Sequence, residues 1–474
     1  MLVTDIKNIT KVDKFINLKK NVKFNKISSN SKLVNEKTIF IVDSKKKIKL
    51  EYLEEAKKRK VPAIISDKVY KKVNSTQLIV KDLNNAIEKL LYELKPNKPV
   101  KSIAITGTNG KTSVVWYISQ LCKINNINIK TQGTLGYFIN GKKINENINT
   151  TPDFVELHQN AYSKKKNKYN FVFEASSHAL DQERIKNFPV NLAAITNITR
   201  DHIDYHKSFK KYKVSKFKLF LKYLDKSGTA ILNSRLKNYK KLVDILKKRK
   251  IKIIFYGKKN IFFKKKSNNI ISLNIYNKKY NLQNLKLNEI EKQNLECAIA
   301  CCLEIGIKNS QIVKNLMKIT SPPGRLEVIN YKKKSSKIII DYAHTPDALK
   351  NILECFTLNN KKPSLVFGCG GERDKGKRKK MGKIALDFAR DVFITDDNPR
   401  NESPKNIRAE LIKYCPKAKE IADRKKAIHQ AIKNMKKNTV LIIAGKGHEK
   451  VQIIKNKIKL FDDFKIAKEI IKKN

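Results

Sequence analysis

The stretch "SIAITGTNGKTS", residues 102–113, carries the strongest indication of fold in the chain. A short β-branched run ends in a glycine-rich turn, and a helical pattern follows it at once. Glycines let backbone N–H groups approach phosphates, the first turn of a helix favours anions, and Lys111 and Thr112 suit phosphate and Mg²⁺. The turn departs from the usual phosphate-binding loop because Ile105 stands where a first glycine is expected. We therefore predict a strand–loop–helix unit that binds ATP.

The same alternation continues on both sides of a break at "PPGRLE" (322–327). Short apolar runs repeatedly end in polar motifs and are followed by helical periodicity, which predicts an α/β fold. Ligands bind at the carboxyl ends of strands in open parallel sheets, so these motifs are candidate sites. We predict three domains, at residues 1–97, 98–321 and 322–474.

Composition favours a cytoplasmic protein. No run of about 18 apolar residues predicts a transmembrane helix, so we expect no membrane insertion. The first residues, "MLVTDIKNITKVDKF", lack the apolar core of a secretory signal. The seven cysteines show no CxxC pair, which suits a reducing compartment rather than a disulfide framework or a zinc site.

The formal net charge of +60 raises the alternative of a nucleic-acid-binding ATPase. The lysines are spread through the whole chain, and we find no strand motif that interleaves basic residues with stacking aromatic residues. We therefore expect no nucleic-acid partner. Capture of polyanionic small substrates, or a lysine-rich coding bias, accounts for the charge.

Three side chains near the predicted loop have both a chemical and an ordinary interpretation. Glu174 ends the run "FVFE", and His202 lies in "TRDHIDYH". Each is alone an ordinary polar residue, but together at strand ends they are reasonable Mg²⁺ ligands. Residues 209–220, "FKKYKVSKFKLF", predict an amphipathic helix with its aliphatic and aromatic residues facing a core. On that pattern alone Lys216 is an ordinary surface lysine.

Arginine is rare in this chain, with 12 arginines against 91 lysines, so its placement is informative. Arg373 and Arg378 lie in "CGGERDKGKR", and Arg400 lies in "DDNPR". A planar guanidinium binds a carboxylate through two hydrogen bonds, whereas an ammonium group does not. Structural ion pairs are the alternative. In "GKGHE" (445–449), the glycines would expose backbone to a ligand and Glu449 would accept an ammonium group.

Taken in order, these motifs resemble the Mur ligases of peptidoglycan synthesis. The matching elements are "GTNGKTS", "NTTPD", "EASSHALDQER", "TNITRDHIDYH", "PPGRLE", "DYAHTPDAL", "GCGGERDKGKR", "DDNPR" and "GKGHE". The resemblance runs from about residue 100 to 450 and is weak before residue 95. It implies an α/β fold of three domains, with a central P-loop-type mononucleotide-binding sheet and a C-terminal Rossmann-like domain.

The resemblance also implies an activity. ATP would phosphorylate the free carboxylate of a UDP-linked muramoyl dipeptide, and the amine of meso-2,6-diaminopimelate would attack the acyl phosphate. The expected protein is a monomeric, Mg²⁺-dependent cytoplasmic ligase. The resemblance assigns catalytic roles to Lys111, Glu174, His202 and Lys216. It assigns metal binding to Thr112, Glu174, His202 and Lys216, the last as a carbamylated lysine.

Three further sets of residues follow from the resemblance. ATP would contact Gly107, Thr108, Asn109, Gly110, Lys111, Thr112, Ser113, Asn294 and Arg325. The UDP-linked peptide would contact Ser31, Asn149, Thr150, Thr151, Ser176, Gln182 and Arg184. The amino acid would contact Arg373, Asp397, Asn398, Pro399, Arg400, Gly445 and Glu449. Asp341 and His344 would line the C-terminal face of the cleft.

"DNPR" resembles the form of the motif that selects a diamino acid with a carboxylate at each end. With a lysine substrate, which has no second carboxylate, the guanidinium would stay unpaired at a cost in binding free energy. Arg400 is therefore expected to bind the second carboxylate of the amino acid. The alternatives are another Mur ligase or a folylpolyglutamate synthase-type enzyme, the nucleic-acid-binding ATPase, and a non-catalytic relative. Dependence of ATP turnover on particular amino acids distinguishes them.

Overall fold

A computed structural model describes residues 1–45, 50–71, 73–147, 149–237, 239–267, 269–357 and 361–473. Within these residues, the three largest sheets occupy 14–79, 102–283 and 327–444. The predicted α/β class is confirmed. The predicted boundaries at 97/98 and 321/322 fall between sheets, and the division into domains remains our proposal. No helix of the described residues is both long and apolar enough to cross a membrane.

The N-terminal region is a small sheet in the order β1-β5-β4-β3-β2, parallel except where β1 joins β5. Its strands are β1 Lys14–Ile16, β2 Lys26–Ser28, β3 Thr38–Val42, β4 Ala63–Ser66 and β5 Thr76–Ile79. Its helices are α1 Ile6–Ile9, α2 Leu50–Lys58 and α3 Leu83–Leu94. Strands β3 and β4 are buried along their whole length, as expected where helices cover a parallel sheet.

The central sheet has the order β16-β15-β14-β13-β12-β11-β6-β10-β7-β8-β9. Its strands are β6 Ser102–Thr106, β7 Ile129–Gly133, β8 Gly136–Ile139, β9 Lys142–Asn145, β10 Asn170–Glu174, β11 Val190–Ile195, β12 Leu224–Asn233, β13 Lys252–Tyr256, β14 Ile261–Lys265, β15 Ile270–Ile275 and β16 Lys278–Gln283. Both faces are covered. Ile103 and Ile105 of β6 pack into the cluster that contains α4 Lys111–Ile124 and α10 Glu289–Ile305, whereas Ala104 faces the opposite cluster.

The remaining helices of this region are α5 Phe154–Ala161, α6 Ser177–Asp181, α7 Ile203–His206, α8 Phe209–Lys218, α9 Lys240–Lys248 and α11 Asn309–Asn315. The predicted helix at 209–220 is confirmed as α8, followed by a π-helical turn at Leu219–Tyr223. The predicted orientation is wrong at two positions. Phe209 and Val214 are exposed, and the buried face of α8 carries Tyr212, Ser215 and Lys216.

The C-terminal sheet has the order β17-β18-β22-β19-β20-β21, with only β17 antiparallel to its neighbour. Its strands are β17 Glu327–Tyr331, β18 Ser336–Asp341, β19 Ser364–Phe367, β20 Val392–Ile394, β21 Lys419–Glu420 and β22 Val440–Ala444, and a separate hairpin comprises β23 Val451–Ile454 and β24 Lys457–Leu460. The helices are α12 Pro346–Cys355, α13 Gly376–Phe388, α14 Pro404–Ile412, α15 Arg424–Lys433 and α16 Asp463–Lys473.

The predicted polar motifs lie where the parallel strands end. The six apolar runs that precede them form β6, β10, β11, β18, β19 and β22. Because parallel strands deliver their carboxyl ends to one edge of a sheet, the motifs of each sheet gather along one edge. The central and C-terminal edges meet at Asn109, whose amide donates to Asp347 at 3.3 Å.

Candidate active site

The loop between β6 and α4 has the backbone of a phosphate site. Gly107 and Gly110 have φ angles of 147° and 84°, in the region that favours glycine. Gly110 is the N-cap of α4, so the first N–H groups of the helix face the loop. A Cβ on Gly110 would come within 2.3 Å of the Asn294 side-chain oxygen, which places Asn294 against the loop as expected. The arrangement favours an anion at this helix start.

A buried carboxylate lies beside the start of α4. The Thr112 hydroxyl donates to Glu174 at 3.0 Å, and the backbone N–H of Thr134 donates to the same carboxylate at 2.7 Å. The Thr134 hydroxyl adds a bond of 3.1 Å. Glu174 is thus held with its oxygens beside a threonine hydroxyl of the phosphate loop. These hard oxygen donors suit Mg²⁺, which is commonly held by one or two protein oxygens together with substrate phosphates.

Lys216 is not a surface lysine. It is 1% exposed, and its ammonium group donates to the Gly107 carbonyl at 2.8 Å. Burial, followed by the charge of Lys111, holds its pKa well below the usual range. A lysine with a lowered pKa supplies the neutral amine that carbamylation requires. In the described structure the Lys216 side chain lies beneath the phosphate loop.

His202 lies at the mouth of the site in a left-handed conformation, with φ of 53°. Its ring is 3.3 Å from the Asp201 carboxylate and lies edge-on to His178, 4.7 Å away between ring centres. Burial lowers the pKa of His202 to about 3, so the imidazole is neutral at physiological pH. A neutral imidazole can be a metal ligand. No cluster of three or more His, Cys, Asp or Glu side chains in the described ranges is arranged to hold a metal ion.

A cavity of about 570 Å³ joins the phosphate loop to the C-terminal region. Arg325, from the predicted hinge, stacks on Tyr342 with its guanidinium carbon 4.1 Å from the ring centre. The carboxylate of Asp341 accepts from the N–H groups of Leu326 and Ala343 at 2.8 Å each. The cavity is lined by Thr108, Asn109, Gly110, Lys111, Thr112, Ser113, Thr150, Glu174, Ser176, His202, Asn294, Arg325, Asp341, His344 and Arg373, among others.

Four of the predicted peptide-side residues, Thr151, Ser176, Gln182 and Arg184, form one connected group beside this cavity. Arg184 donates to the Thr151 carbonyl at 2.9 Å and to the Gln182 side chain at 2.9 and 2.6 Å. The Thr151 hydroxyl reaches the Glu174 carbonyl at 2.6 Å and the Ser176 hydroxyl at 3.2 Å. This network connects the peptide side to the strand that carries the site carboxylate.

A second cavity, of about 220 Å³, lies between the N-terminal and central sheets. It is lined by Ser28, Ser29, Asn30, Asn149, Pro152, Asp153, Glu156 and Arg184. Ser31 is adjacent in sequence, but it is outside the lining, and its hydroxyl donates to Glu55 at 2.6 Å. The structure thus draws attention to Ser28 and Ser29, which sequence reasoning missed, and the role of Ser31 stays a prediction.

The predicted amino-acid residues surround a third cavity of about 150 Å³. Asn398 donates to the Glu449 carboxylate at 2.8 Å, and the Tyr342 hydroxyl donates to the other Glu449 oxygen at 3.2 Å. Lys446, which is fully buried, lies 3.0 Å from Asn398 and 3.3 Å from Glu449. Sequence reasoning missed Lys446 because nothing distinguished it from 90 other lysines.

Two guanidinium groups line this third cavity. Arg400 adopts φ of 52° and donates to the Gly371 carbonyl at 2.8 Å. Burial, followed by the charge of Arg373, lowers the pKa of Arg400. Among the described residues, neither arginine has an ion pair with a carboxylate. By contrast, Arg378 pairs with Glu402 at 2.8 Å and is structural.

The backbone of this cavity also requires glycine. A Cβ on Gly445 would approach the Asp397 carboxylate at 2.7 Å, and Gly445 has φ of 115°. Pro399 is buried behind the cavity, and a Cβ on Gly371 would come within 2.0 Å of its carbonyl oxygen. Asp397 and Gly445 line the cavity directly, whereas Pro399 shapes the loop.

The first and third cavities share one wall. Asp201, His202, Tyr342, His344 and Arg373 line both. A molecule in the larger cavity and a molecule in the smaller one would therefore meet at these side chains. Such a site can join a phosphorylated carboxylate from one side to an amine from the other.

The comparisons with known proteins agree with this geometry. Residues 105–317 match the Mur ligase middle domain, and residues 324–447 match the Mur ligase, glutamate ligase domain. The chain is 37% identical over 462 residues to the UDP-N-acetylmuramoyl-L-alanyl-D-glutamate--2,6-diaminopimelate ligase of Rickettsia montanensis, covering 94% of this chain and 95% of that protein. It is 35% identical over 486 residues to the ligase of the same name from Buchnera aphidicola subsp. Schizaphis graminum, covering 95% and 96%.

Solved structures give the same result. A structure of a UDP-N-acetylmuramoyl-L-alanyl-D-glutamate--2,6-diaminopimelate ligase has a TM-score of 0.61 at 27% identity, covering 100% of this chain and 99% of that one. MurF ligase from Thermotoga maritima in complex with ADP has a TM-score of 0.67 at 16% identity, covering 96% and 99%. The second likeness is one of fold alone.

Proposed function

We propose, from the premise that the chain belongs to the Mur ligase family, that it joins meso-2,6-diaminopimelate to UDP-N-acetylmuramoyl-L-alanyl-D-glutamate with consumption of ATP. The chain is an ATP-dependent acid–amino-acid ligase of peptidoglycan synthesis. The observation that carries the proposal for this site is the shared wall of the two cavities. ATP and the dipeptide carboxylate would occupy the larger cavity, and the amino acid the smaller one.

The reaction has two steps. An oxygen of the dipeptide carboxylate attacks the γ-phosphorus of ATP, and ADP leaves. The neutral amine of diaminopimelate then attacks the acyl carbon and an amide bond forms. Inorganic phosphate leaves with the electron pair of the broken C–O bond, and the amine gives up one proton to the phosphate or to water. A carboxylate at neutral pH is a poor electrophile, so the phosphoryl group provides the leaving group that the second step needs.

The charged groups around the phosphate loop account for the first step. Lys111 lies at the start of α4 and donates to the Gly107 and Thr108 carbonyls at 2.9 and 3.0 Å, within reach of a phosphate placed on the loop. Such fixed charges stabilise negative charge as it moves between oxygens. We assign a Mg²⁺ ion to Thr112 and Glu174, with His202 and carbamylated Lys216 as further candidates. When bound, Mg²⁺ offsets phosphate charge and aligns the transferring group.

We infer that the third cavity selects the amino acid. Arg373 and Arg400 would bind carboxylates, and Asn398 and Glu449 would orient the ammonium group at the far end of the substrate. The Arg373 and Arg400 guanidinium groups have no carboxylate partner in the described part of the chain and repel each other. A substrate carboxylate in the cavity would offset that repulsion. A lysine substrate has no second carboxylate to offer.

We further propose that residues 1–97 hold the uridine end of the substrate, 98–321 ATP and 322–474 the amino acid. We also propose a monomer in the cytoplasm, which suits the seven free cysteines. Closure of the C-terminal region would exclude water from the acyl phosphate.

The test measures phosphate release from ATP with UDP-N-acetylmuramoyl-L-alanyl-D-glutamate and a panel of amino acids. We expect release to require both the nucleotide-linked dipeptide and diaminopimelate. Turnover with glutamate and a folate would favour the folylpolyglutamate synthase-type alternative. Turnover stimulated by RNA without any amino acid would contradict the proposal and support the nucleic-acid-binding ATPase.

A further inference from the structure

The hairpin β23–β24 has an apolar face that is half-buried on β23 and exposed on β24 in the described part of the molecule. Its register pairs Val451 with Leu460 and Ile453 with Ile458, so these four side chains share one face. Ile458 is 70% exposed and Leu460 is 91% exposed, the largest values among the exposed large apolar side chains of the described residues. An isolated exposed leucine is ordinary, but a four-residue apolar face on one ribbon is not.

The opposite face and the backbone hold the hairpin in place. Gln452 is buried and donates to the Asp397 carbonyl at 2.9 Å. The Ile453 N–H donates to the Asn398 side chain at 3.0 Å, and Arg400 exchanges backbone hydrogen bonds with Ile453 and Lys455 at 3.1 and 2.7 Å. The side chains at 458 and 460 take no part in this attachment. Their apolar character is therefore not required to fix the amino-acid loop.

Lysines flank the apolar face at its ends and occupy the other face of β24. Lys450 and Lys455 lie just outside the ends of β23, whereas Lys457 and Lys459 alternate with Ile458 and Leu460 and so project from the opposite face. None of the four forms an ion pair with a carboxylate of the described residues.

We propose that this hairpin face docks on an anionic phospholipid bilayer. A ribbon with apolar side chains on one face and lysines on the other face and at its ends matches the interface of such a bilayer. The apolar side chains enter the acyl boundary, while the ammonium groups stay among the phosphates. Each lysine near an anionic surface contributes attraction that falls off within a Debye length. A second copy of this chain is a poor occupant, since two chains of net charge +60 repel.

Sedimentation with vesicles tests the proposal without reference to catalysis. The full-length protein is mixed with vesicles of phosphatidylcholine alone or with about one-third phosphatidylglycerol, at about 0.1 M salt. We expect binding to the anionic vesicles only. The variant Ile458→Ser/Leu460→Ser should bind at least about tenfold more weakly. The variant Lys457→Gln/Lys459→Gln should lose about fivefold in affinity for the anionic vesicles for each lysine replaced.

Matched controls separate this face from the general charge of the chain. Val100→Ser/Met317→Ser removes two exposed apolar side chains elsewhere, 58% and 57% exposed, and should bind like the wild type. Lys247→Gln/Lys248→Gln on α9 removes two exposed charges elsewhere. Its affinity for anionic vesicles should fall less than that of Lys457→Gln/Lys459→Gln. Ligase turnover of the serine variant should equal that of the wild type, which shows that its fold is intact.

Three outcomes would overturn the proposal. The first is absence of binding to anionic vesicles, which leaves a protein partner as the occupant. The second is unchanged binding of Ile458→Ser/Leu460→Ser, which shows that charge alone holds the chain on the surface. The third is a change of sedimentation coefficient in that variant without lipid, which identifies a second copy as the occupant. Failure of the ligase assay would leave this test unaffected.

Discussion

Lys111 and Lys216 donate to the same carbonyl oxygen, that of Gly107, at 2.9 and 2.8 Å. Two ammonium groups on one acceptor repel each other strongly in a buried setting. Burial lowers the pKa of both lysines, and the charge of Lys111 lowers that of Lys216 further. Conversion of Lys216 to a carbamate would replace this repulsion with attraction. Because burial and the charge of Lys111 hold the pKa of Lys216 well below its usual value, we expect the modification at Lys216.

The first prediction concerns Lys216. Lys216→Ala should lower kcat by about 100-fold, the usual loss when one fixed charge is removed from a phosphoryl-transfer site. Lys211→Ala, on the exposed side of the same helix, should leave kcat unchanged. If the carbamate forms, wild-type activity in CO₂-free buffer should fall and bicarbonate should restore it. A Lys216→Ala variant as active as the Lys211 control would remove Lys216 from the mechanism.

The pH dependence of that effect has a defined sign. Carbamylation consumes the neutral amine, so it is lost as pH falls through the pKa of folded Lys216. Because that pKa is lowered, the amine of Lys216 stays neutral at pH values at which a solvated lysine is protonated. The bicarbonate requirement should therefore become stronger as the pH is lowered, measured as kcat against bicarbonate concentration at several pH values.

The sequence predicted most of the strand ends because β-branched runs followed by glycine-rich turns specify them locally. It failed at Lys216 because the buried face of α8 is formed by Tyr212, Ser215 and Lys216, while Phe209 and Val214 are exposed. Amphipathic periodicity assumes that apolar residues face inward, and a buried functional lysine breaks that assumption. Only the family resemblance identified it.

Long-range partners could not be predicted in the same way. The N–H of Thr134 reaches Glu174 across the central sheet, and Lys446 reaches Asn398 from a separate strand end. Each contact depends on strand order, which the sequence alone does not specify. The distinction between Arg378 and Arg400 is similar, because Arg378 is paired with Glu402 and Arg400 has no carboxylate partner among the described residues.

The second prediction concerns Arg400. Arg400→Lys should raise KM for diaminopimelate by about 10- to 100-fold, because an ammonium group cannot replace two parallel hydrogen bonds to a carboxylate. KM for ATP should stay within about twofold of the wild type. Arg390→Lys, at a surface pair with Asp391, is the matched control and should leave both values unchanged. Equal use of L-lysine and diaminopimelate by the wild type would contradict the role given to Arg400.

The third prediction concerns contact between the hinge and the "GKGHE" loop. A Cβ on Gly324 would approach the His448 backbone nitrogen at 2.0 Å, and Gly324 has φ of 66°. Gly324→Ala should therefore separate the hinge from this loop and lower kcat/KM for diaminopimelate by at least about tenfold. Gly306→Ala is a matched control, since Gly306 has φ of 106° with no atom near its Cβ position.

The control should lose about 1 kcal/mol of unfolding free energy through backbone strain while it keeps its activity. Steady-state kinetics and urea unfolding of both variants separate the two effects. Equal kinetic losses in Gly324→Ala and Gly306→Ala would show that strain, and not the contact with His448, explains the result.

The fourth prediction concerns His158, at the contact between α3 and α5. Its ring is fully buried, stacks on Tyr162 at 3.8 Å and meets Tyr92 edge-on at 4.9 Å. Neither ring nitrogen has a hydrogen-bond partner among the described residues. Burial, with the charge of Lys95, lowers the pKa of His158 from 6.5 to about 3. The imidazole is therefore held neutral between two regions of the chain.

The sign of the stability effect follows from that lowered pKa. Between pH 6.5 and 3 the unfolded chain binds a proton at this position and the folded chain does not, so the free energy of unfolding falls as the pH is lowered through this window. Between pH 7.5 and pH 5, His158 alone should lower the free energy of unfolding by about 2 kcal/mol. His158→Phe keeps an aromatic ring of similar size and should remove that part of the loss in urea unfolding. His429→Gln, at an exposed position of α15, should leave the pH dependence unchanged. A His158→Phe variant with the wild-type pH dependence would show that His158 has the same pKa in the folded and the unfolded chain, against the burial that the structure shows.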